Sequence, residues 1–326
     1  MNALAPPDFS PAPRRAWREV SGILLLDKPV GLSSNQALQR VRRLLGAARG
    51  GHTGSLDPLA TGMLPLCLGE ATKFSGFLLD SGKVYRTRMA LGRRTTTGDA
   101  EGPVVETGAD SLPAGSLESA LERFRGTIEQ IPPMFSALKQ DGQPLYRLAR
   151  KGVSVERPPR TVVIHRLEWV GTDDGDPVLE VSCSKGTYIR TLVEDIARAA
   201  GTVAHVRQLR RLSVNPFREA QMIDLPALER VVQTSPEAGD GLLLPVDAAL
   251  VDLPLLRLDE ADTARLRQGR SLTRAGTPVA GAIRLYGPAG EFLGLGEYQD
   301  EAQLRPRRLM ATASAAVAEI TLNRSG

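Results

Sequence analysis

The sequence is poor in cysteine and histidine, and this shortage disfavours several kinds of site. Cys67 and Cys183 lie far apart and neither belongs to a CxxC motif, so a disulfide framework and a cysteine-based zinc site are both disfavoured. His52, His165 and His205 are scattered, without HxxxH or HxH spacing. We therefore predict that the protein binds no metal and works in a reducing, cytoplasmic setting.

Long apolar runs and an apolar leader are also missing. No run approaches the roughly 18 apolar residues that a membrane span needs. The first twenty residues, MNALAPPDFSPAPRRAWREV, contain four prolines and lack the apolar stretch of a signal peptide. We expect residues 1–19 to form a disordered leader, and we expect no attachment to a membrane.

Familiar motifs for nucleotide chemistry and hydrolysis are absent. The sequence has no GxxxxGK[ST], no GxGxxG after a strand and no GxSxG, and its acids show no paired-carboxylate spacing. An Asp-nucleophile hydrolase is disfavoured because the expected second carboxylate or metal ligands are missing.

The composition is that of a soluble protein with an apolar core. Of 326 residues, 42% are apolar and 24% are charged, and this length indicates about two domains. Only 4% are aromatic, so each aromatic residue beside a polar motif is considered as a candidate site residue.

Basic residues are concentrated in segments that contain no acid. The net charge is +4 and the pI is near 9.3, but residues 28–56 and 81–98 carry positive charge alone. A single such run is usually a solvated face, whereas several around a glycine-rich loop favour a surface that binds a polyanion. The residues concerned are Lys28, Arg40, Arg42, Arg43, Arg49, Lys83, Arg86, Arg88, Arg93 and Arg94, with a later cluster of Arg207, Arg210 and Arg211.

Hydrophobic periodicity predicts an α+β fold. The apolar patterns predict strands at 22–27, 84–91 and 178–183, a half-buried strand through 64–68, and helices that begin after Ser33 or Ser34, after Ser116 and past Gly186. Strands and helices mix without a βαβ rhythm, so we predict a mainly antiparallel sheet flanked by helices.

A second, smaller domain is predicted at the C-terminus. The turn-rich segment 234–240 is typical of a linker or long loop. Beyond it, one short helix at 261–268 precedes several strand-like runs separated by glycines. We therefore expect a large domain at 20–248 and a small β-barrel-like domain at 249–326.

Asp57 is the only acid in GHTGSLDPLATG, and two interpretations of it remain open. An Asp followed by Pro is typical of a helix N-cap and first helical residue. However, Gly50, Gly51 and Gly54 precede it, and each loses backbone entropy on folding. A helix cap alone does not need a glycine-rich loop, whereas the close approach of a bulky ligand to the backbone does.

Tyr85 and Arg190 also allow two interpretations each. Tyr85 lies between basic residues on a strand, where it either packs in the core or presents its ring to a nucleic-acid base. Arg190 lies in the first turn of a helix, an unfavourable place for a cation. It either faces solvent or pairs with a buried carboxylate, whose pKa it would lower.

Seven motifs, in their order along the chain, together resemble one family, the bacterial tRNA pseudouridine-55 synthases of the TruB type. They are DKPVGLSS (27–34), GHTGSLDPLATG (51–62), KVYRTRMALG (83–92), TTTGDAEG (95–102), QIPPMFSALKQDGQPLYRLARKG (130–152), CSKGTYIRTL (183–192) and AHVRQLRR (204–211). The C-terminal segment is similar to a small RNA-binding PUA domain. The chain departs from the family pattern at Gly98, where an acid is common, and at Val203 and Asn215, where glycine is common.

The resemblance implies an isomerase that converts uridine-55 in the T-loop of tRNA to pseudouridine. The family flips the target base out of its stack and uses no metal or nucleotide cofactor. It implies that the partner is the T-stem and T-loop of tRNA, that no guide RNA is needed, and that the protein acts as a monomer. Two alternatives are a non-catalytic RNA-binding protein or chaperone on the same fold, and a guide-dependent synthase of the archaeal and eukaryotic branch.

At matched positions, the resemblance also implies roles for individual residues. Asp57 corresponds to the catalytic carboxylate, and Arg190 to its ion-pair partner. Tyr85 corresponds to the residue that stacks on the target base and takes part in proton transfer. The positions that contact the RNA or the target nucleotide are His52, Tyr188 and Leu209.

Overall fold

The computed structural model describes residues 17–140, 142–273, 281–299 and 303–314, with residues 312–314 described through their backbone. Most of the predicted leader, residues 1–16, and the end of the predicted small domain, residues 315–326, lie outside this part of the chain. Among the described residues, no helix combines the length and apolar character needed to cross a membrane.

Helices and strands alternate irregularly along the chain. The helices are α1 (Ser34–Leu45), α2 (Ser75–Asp80), α3 (Ser116–Arg123), α4 (Leu145–Ala149), α5 (Ile189–Ala199), α6 (Leu225–Val231) and α7 (Glu260–Arg267), with 3₁₀ helices at Gly69–Phe74, Glu219–Gln221, Pro236–Leu242 and Val246–Leu250. The strands are β1 (Gly22–Lys28), β2 (Gly50–His52), β3 (Thr61–Leu68), β4 (Lys83–Leu91), β5 (Arg93–Thr95), β6 (Val104–Thr107), β7 (Gly126–Gln130), β8 (Lys139–Gln140), β9 (Gln143–Pro144), β10 (Arg160–Asp173), β11 (Asp176–Cys183), β12 (Ala204–Val214), β13 (Ile223–Asp224), β14 (Leu255–Arg257), β15 (Leu272–Thr273), β16 (Ala282–Tyr286), β17 (Phe292–Tyr298) and β18 (Gln303–Ser314).

A nine-stranded sheet forms the large part of the molecule. Its order is β13-β1-β3-β12-β4-β11-β10-β7, and β2 pairs with β3 outside this path. Only the β1–β13 and β3–β12 pairs are parallel among its described strands. The predicted α+β fold with a mainly antiparallel sheet is confirmed. A second sheet of five strands, ordered β14-β16-β17-β18-β15, forms the β-rich C-terminal part that was also predicted.

Helix α1 shows why local sequence predicts its ends. The Ser33 Oγ accepts a hydrogen bond from the Gln36 N–H at 3.3 Å, and the Gln36 Oε1 accepts one from the Ser33 N–H at 2.8 Å. Gly46 ends the helix in the left-handed conformation, at φ 63°. Such a cap is worth about 1 kcal/mol. The predicted start and end of this helix are confirmed.

Strand β3 is buried on both faces, so the prediction that it is half-buried is wrong. Leu64, Leu66 and Leu68 point into the main hydrophobic cluster, which α1 and α5 cover. Met63 and Cys67, on the opposite face, belong to a second cluster. The alternation in the sequence therefore separates two cores rather than core from solvent.

Two local predictions are corrected. Ser116 does not cap α3: Gly115 is the N-cap residue, and the Ser116 Oγ donates a hydrogen bond to the Pro113 carbonyl at 2.8 Å. The segment around residue 240 is not the predicted linker or long loop, because Pro236–Leu242 forms a 3₁₀ helix that packs against α1 and α6. The Arg18 guanidinium binds the Asp240 carboxylate there.

The second hydrophobic cluster joins the two sheets. Phe74, from the large part, and Phe292, from β17, pack edge to face with ring centroids 5.4 Å apart. Both rings are 2% exposed. The Lys73 Nζ also donates a hydrogen bond to the Leu309 carbonyl of β18 at 3.2 Å. The C-terminal sheet is therefore packed onto the large part through a shared core.

Candidate active site

Asp57 lies in the loop between β2 and β3, and this loop contains no helix. Its only turn-like contact is the Ala60 N–H to Asp57 carbonyl hydrogen bond, at 3.0 Å. The helix-cap interpretation is therefore wrong. The loop is tied to the start of α1, because the Leu56 N–H donates to the Ser34 Oγ at 2.7 Å and the Ser34 Oγ donates back to the Leu56 carbonyl at 3.1 Å.

The glycines around Asp57 have two different explanations. Gly54 and Gly62 have φ of +79° and +94°, which L side chains rarely adopt. A Cβ on Gly62 would also lie 2.2 Å from the Arg211 carbonyl, so this glycine permits the close approach of β3 and β12. A Cβ on Gly51 would meet open space. Among these three, clearance for a ligand is thus an open explanation for Gly51 alone.

Arg190 joins three separate chain segments. The residue is 6% exposed, and its Nε lies 3.0 Å from the Asp57 Oδ2. The Nη1 and Nη2 groups donate hydrogen bonds of 2.7 Å each, to the carbonyls of Thr97 and Phe135. The side chain therefore points inward from the first turn of α5 rather than toward solvent.

The environment of Asp57 acts on its ionisation in opposing directions. Its side chain keeps 40% of its surface exposed, because one side opens to a recess. The protein atoms on its other sides exclude water and raise the pKa of the carboxyl, and this effect outweighs the Arg190 charge, which lowers it. Arg190 thus opposes the rise in the Asp57 pKa without reversing it.

A cavity of about 370 Å³ opens beside this ion pair. Asp57 and Arg190 lie at its edge, and Tyr85, Tyr188 and Leu209 line its walls. Tyr85 and Leu209 come from the paired strands β4 and β12, and each is 8% exposed. Burial raises the pKa of the Tyr85 hydroxyl, and the charge and hydrogen bond of Arg211 partly offset that rise.

His52 lines an adjoining cavity of about 800 Å³, which shares Asp57 and Arg190 with the first one. Burial lowers the pKa of its imidazole, so the ring is neutral at pH 7. Its Nδ1 is buried and has no hydrogen-bond partner among the described residues. The six residues singled out in the sequence therefore lie around two connected cavities.

Three cations of the predicted polyanion-binding surface are buried, so this part of the prediction is wrong. Lys28, Lys83 and Arg211 are 0%, 6% and 1% exposed, so none of them lies on the outer surface. The Lys28 Nζ donates to the carbonyls of Pro29 and Leu32, at 2.8 and 2.7 Å. These cations hold the backbone around the site together instead of meeting a polyanion.

Lys83 and Arg211 surround the cavity that Tyr85 and Leu209 line. The Lys83 Nζ donates to three carbonyls at the end of α2, at 2.6 to 3.2 Å. Arg211 donates from Nε to the Met63 carbonyl at 2.6 Å and from Nη2 to the Gly54 carbonyl at 3.1 Å. Lys83 is two residues from Tyr85 on β4, and Arg211 is two residues from Leu209 on β12, so each cation shares a strand face with a cavity residue. This spacing could have been recognised in the sequence.

Arg88, also assigned to that surface, is 8% exposed and pairs with acids. Its guanidinium lies 2.9 Å from Asp173, 3.2 Å from Asp174 and 2.9 Å from Asp176. It therefore fixes the turn between β10 and β11.

Gln130 is a positioning residue that sequence reasoning missed. It is 2% exposed, and its side-chain amide binds the backbone of Tyr188 in both directions. The Tyr188 N–H donates to the Gln130 Oε1 at 3.0 Å, and the Gln130 Nε2 donates to the Tyr188 carbonyl at 3.3 Å. The clamp fixes the start of α5 and hence Arg190.

Comparison with known proteins identifies the family. Residues 42–189 match the TruB family pseudouridylate synthase (N terminal domain), residues 190–251 the tRNA pseudouridylate synthase B C-terminal domain, and residues 254–310 the pseudouridine synthase II TruB, C-terminal. The "tRNA pseudouridine synthase B" of Pseudomonas aeruginosa (strain UCBPP-PA14) is 52% identical over 298 residues, which cover 91% of this chain and 98% of that protein.

The chain belongs to the TruB family of pseudouridylate synthases.

Further relatives and solved structures agree with membership of the TruB family. A "tRNA pseudouridine synthase B" of Ectopseudomonas mendocina (strain ymp) is 51% identical over 302 residues, which cover 92% of this chain and 99% of that protein. The crystal structure titled "Cbf5-Nop10-Gar1 Complex" contains a chain that is 25% identical with a TM-score of 0.67, over 91% of this chain and 83% of that one. An H/ACA RNP structure "bound to a substrate RNA containing 2'-deoxyuridine" matches at 23% identity, a TM-score of 0.65 and coverage of 90% and 82%, and shares the fold.

Proposed function

We propose that this TruB-family enzyme converts uridine-55 in the T-loop of tRNA to pseudouridine. Relatives that are about half identical over nearly their whole length carry the name tRNA pseudouridine synthase B. The observation that carries the proposal is the Asp57 carboxylate, held 3.0 Å from Arg190 at the edge of a cavity of about 370 Å³.

The chemistry of the isomerisation fits a site built around one carboxylate. The bond between N1 of uracil and C1′ of ribose breaks, and a bond between C5 and C1′ forms. N1 gains a proton and C5 loses one, so the reaction consumes no oxidant, reductant or water and requires no cofactor. Asp57 acts on a ribose carbon as a nucleophile or on a ribose proton as a base. Both routes need the ionised carboxylate that Arg190 favours.

The cavity walls suit a flipped base. Removing a base from its stack costs a few kcal/mol, and a ring such as Tyr85 recovers about 1–3 kcal/mol by stacking. Leu209 supplies an apolar wall opposite polar groups. The raised pKa of Tyr85 keeps its hydroxyl protonated at neutral pH, as a proton donor must be. We assign contacts with the RNA to Tyr188, at the cavity wall, and to His52, in the adjoining cavity.

We also propose that the two parts of the chain have different roles. Residues 20–248 carry the catalytic site, and residues 249–326 bind RNA outside the T-loop. Arg305, Arg307 and Arg308 lie on β18, the long strand of the second sheet, and supply positive charge for phosphates.

Tritium release tests the proposed activity. A tRNA transcript with uridine labelled at C5 is incubated with the purified chain alone, and we expect release without a guide RNA or partner protein. Asp57→Asn is expected to abolish release while RNA still shifts on a gel. Asp110→Asn, at an exposed position away from the cavity, is the matched control and should release tritium normally.

The same assay separates the competing functions. Binding of tRNA without any release would favour a non-catalytic RNA-binding protein. Release that requires added partners would favour a guide-dependent synthase. Turnover by Asp57→Asn would disprove the role given to that carboxylate.

A further inference from the structure

Ser136 is a buried polar residue that the proposed function leaves without a role. It is 5% exposed, and its Oγ has no hydrogen-bond partner among the residues that the structure describes. An unpaired buried polar group is energetically unfavourable, so such an atom in a native protein calls for a physical explanation.

Hydrogen bonds hold the backbone of Phe135 and Ser136 in place. The Phe135 carbonyl accepts the Arg190 Nη2 at 2.7 Å, and the Ser136 carbonyl accepts the Tyr146 N–H at 3.1 Å. These two contacts order the backbone that carries Ser136, so its side chain projects from a fixed segment beside the ion pair of Asp57.

The Tyr188 hydroxyl is the polar side chain that Ser136 faces. Burial raises the pKa of Tyr188, and a side-chain hydrogen bond with Ser136 partly offsets that rise. This contact does not reach regular hydrogen-bond geometry, and the Ser136 Oγ has no other partner among the described residues. The serine can therefore exchange this weak contact for a hydrogen bond to a ligand, as donor or as acceptor.

Ser136 lies on the ridge between the two cavities of the site. Residues that line both cavities are Ser55, Leu56, Asp57, Ser136, Ala137 and Arg190. If the target base enters the cavity of Tyr85, then Asp57 reaches the sugar only when the ribose lies over this ridge. The 3′ and 5′ oxygens of an internal nucleotide are esterified, so its one free hydroxyl is the 2′-hydroxyl.

We propose that Ser136 binds the ribose 2′-hydroxyl of the target nucleotide. This inference rests on the proposed function, since it needs a ribonucleotide in the site. The serine hydroxyl and the 2′-hydroxyl both donate and accept hydrogen bonds. A phosphate oxygen only accepts them, and a cation binds it more strongly than a serine does. Ser136 is then a substrate-binding residue that distinguishes RNA from DNA at the modified position.

A binding cycle tests the proposal without turnover. Every protein carries Asp57→Asn, and the two ligands are T-stem-loop hairpins with either ribose or 2′-deoxyribose at the target uridine. With Ser136 present, we expect the ribose hairpin to bind about three- to tenfold more tightly, the effect of one hydrogen bond. With Ser136→Ala, the two affinities should agree within about twofold. Ser136→Cys, whose thiol is a weak hydrogen-bonding group, should give the same loss if Ser136→Ala folds poorly.

Ser119→Ala, at an exposed position on α3 outside both cavities, is the matched control, and the preference for ribose should survive it. An unchanged preference in the folded Ser136→Ala protein would overturn the inference. The chain with Asp57 intact is assayed for tritium release in parallel. If the chain with Asp57 releases tritium but Ser136→Ala keeps the preference for ribose, only the role of Ser136 is refuted. If the chain with Asp57 releases no tritium, the proposed function itself is refuted.

Discussion

At the scale of single residues, Arg190 determines whether the site is assembled. One guanidinium binds the Asp57 carboxylate and the carbonyls of Thr97 and Phe135. These three segments come from different parts of the chain, and this side chain bonds to all of them. The residue therefore has an electrostatic effect on the carboxylate and a geometric effect on the walls around it.

Replacing Arg190 by Met should move the acid limb of activity to higher pH. Burial already raises the pKa of Asp57 and Arg190 opposes that rise, so its removal raises the pKa further and leaves less carboxylate ionised at a given acid pH. We also expect about a hundredfold lower kcat from misplacement of the reacting groups. The measurement is kcat/KM for tritium release between pH 5 and 9.

Arg166→Met is the matched control for this experiment, because Arg166 is an exposed arginine paired with Glu168 and lies outside the segments assigned to RNA binding. Its pH profile should superimpose on that of the unaltered chain. A profile of Arg190→Met that is lower but not displaced would show that the guanidinium acts by geometry alone.

The residues of the candidate site differ in how far sequence could predict them. Asp57, Tyr85 and Arg190 each lie in a recognisable motif, and the structure places them together. The buried state of Lys28 and Arg211 was missed, because a lysine or arginine in an acid-free segment is normally solvated. Their burial depends on carbonyl groups that converge from distant segments, and no local pattern records that convergence.

At the scale of secondary-structure elements, the contact between β3 and β12 fixes the loop that carries Asp57. Gly62 lies against the backbone of Arg211, and the two strands are paired in parallel at this point. Strand β12 also carries Leu209, so this pair of strands positions the carboxylate relative to a cavity wall.

Gly62→Ala should destabilise the protein severely, whereas Gly51→Ala should not. A Cβ at Gly62 would overlap the Arg211 carbonyl in a left-handed conformation, and we expect a loss of at least about 3 kcal/mol in the free energy of unfolding. A Cβ at Gly51 meets open space, so we expect a change within about 0.5 kcal/mol. Urea unfolding measures both.

The same Gly51→Ala protein tests whether that glycine leaves room for RNA. Weaker binding of tRNA at unchanged stability would support the clearance interpretation. Unchanged binding would contradict it.

Lys83, at the start of β4, should make stability depend on pH above neutrality. Burial lowers its pKa from 10.5 to about 8, so between these values the unfolded chain binds more protons than the folded one. The penalty for burying the charge is present below pH 8 and is relieved as the pH rises toward 10.5. Relative to Lys83→Met, the free energy of unfolding of the unaltered chain should rise by about 2 kcal/mol from pH 8 to 10.

Urea titrations of both proteins at the two pH values check this expectation, since other titrating groups are common to both. If the difference in the free energy of unfolding between the two proteins is the same at both pH values, the lowered pKa of Lys83 is contradicted.

Secondary structure was predictable where a local signal decides it. The capping box of Ser33 and the left-handed Gly46 define α1 from within its own sequence. Strand β3 was placed correctly, but its burial was underestimated, because much of the cover on its second face comes from Val214 and later residues, far along the chain. Alternation of apolar residues identifies a strand without revealing how many layers cover it.

At the scale of the whole molecule, the second hydrophobic cluster makes the two sheets one structural unit. It contains Phe74 and Met63 from the large part and Phe292 and Leu295 from the C-terminal sheet. Neither part buries these side chains without the other.

Phe292→Ala should therefore destabilise both parts together. Removing the ring leaves a cavity beside Phe74, and we expect a loss of about 3–5 kcal/mol in the free energy of unfolding. Thermal unfolding should remain a single transition at lower temperature when followed by circular dichroism and by fluorescence. Two separated transitions would show that the sheets are stable independently.

The shared core also has a consequence for the choice of RNA. Because Phe74 and Phe292 lock the C-terminal sheet in place, the distance from β18 to the carboxylate of Asp57 is a fixed property of the protein. An RNA that touches both must present its two contact points at that one separation. The enzyme would then select substrates by their three-dimensional span as well as by the nucleotides around the modified uridine.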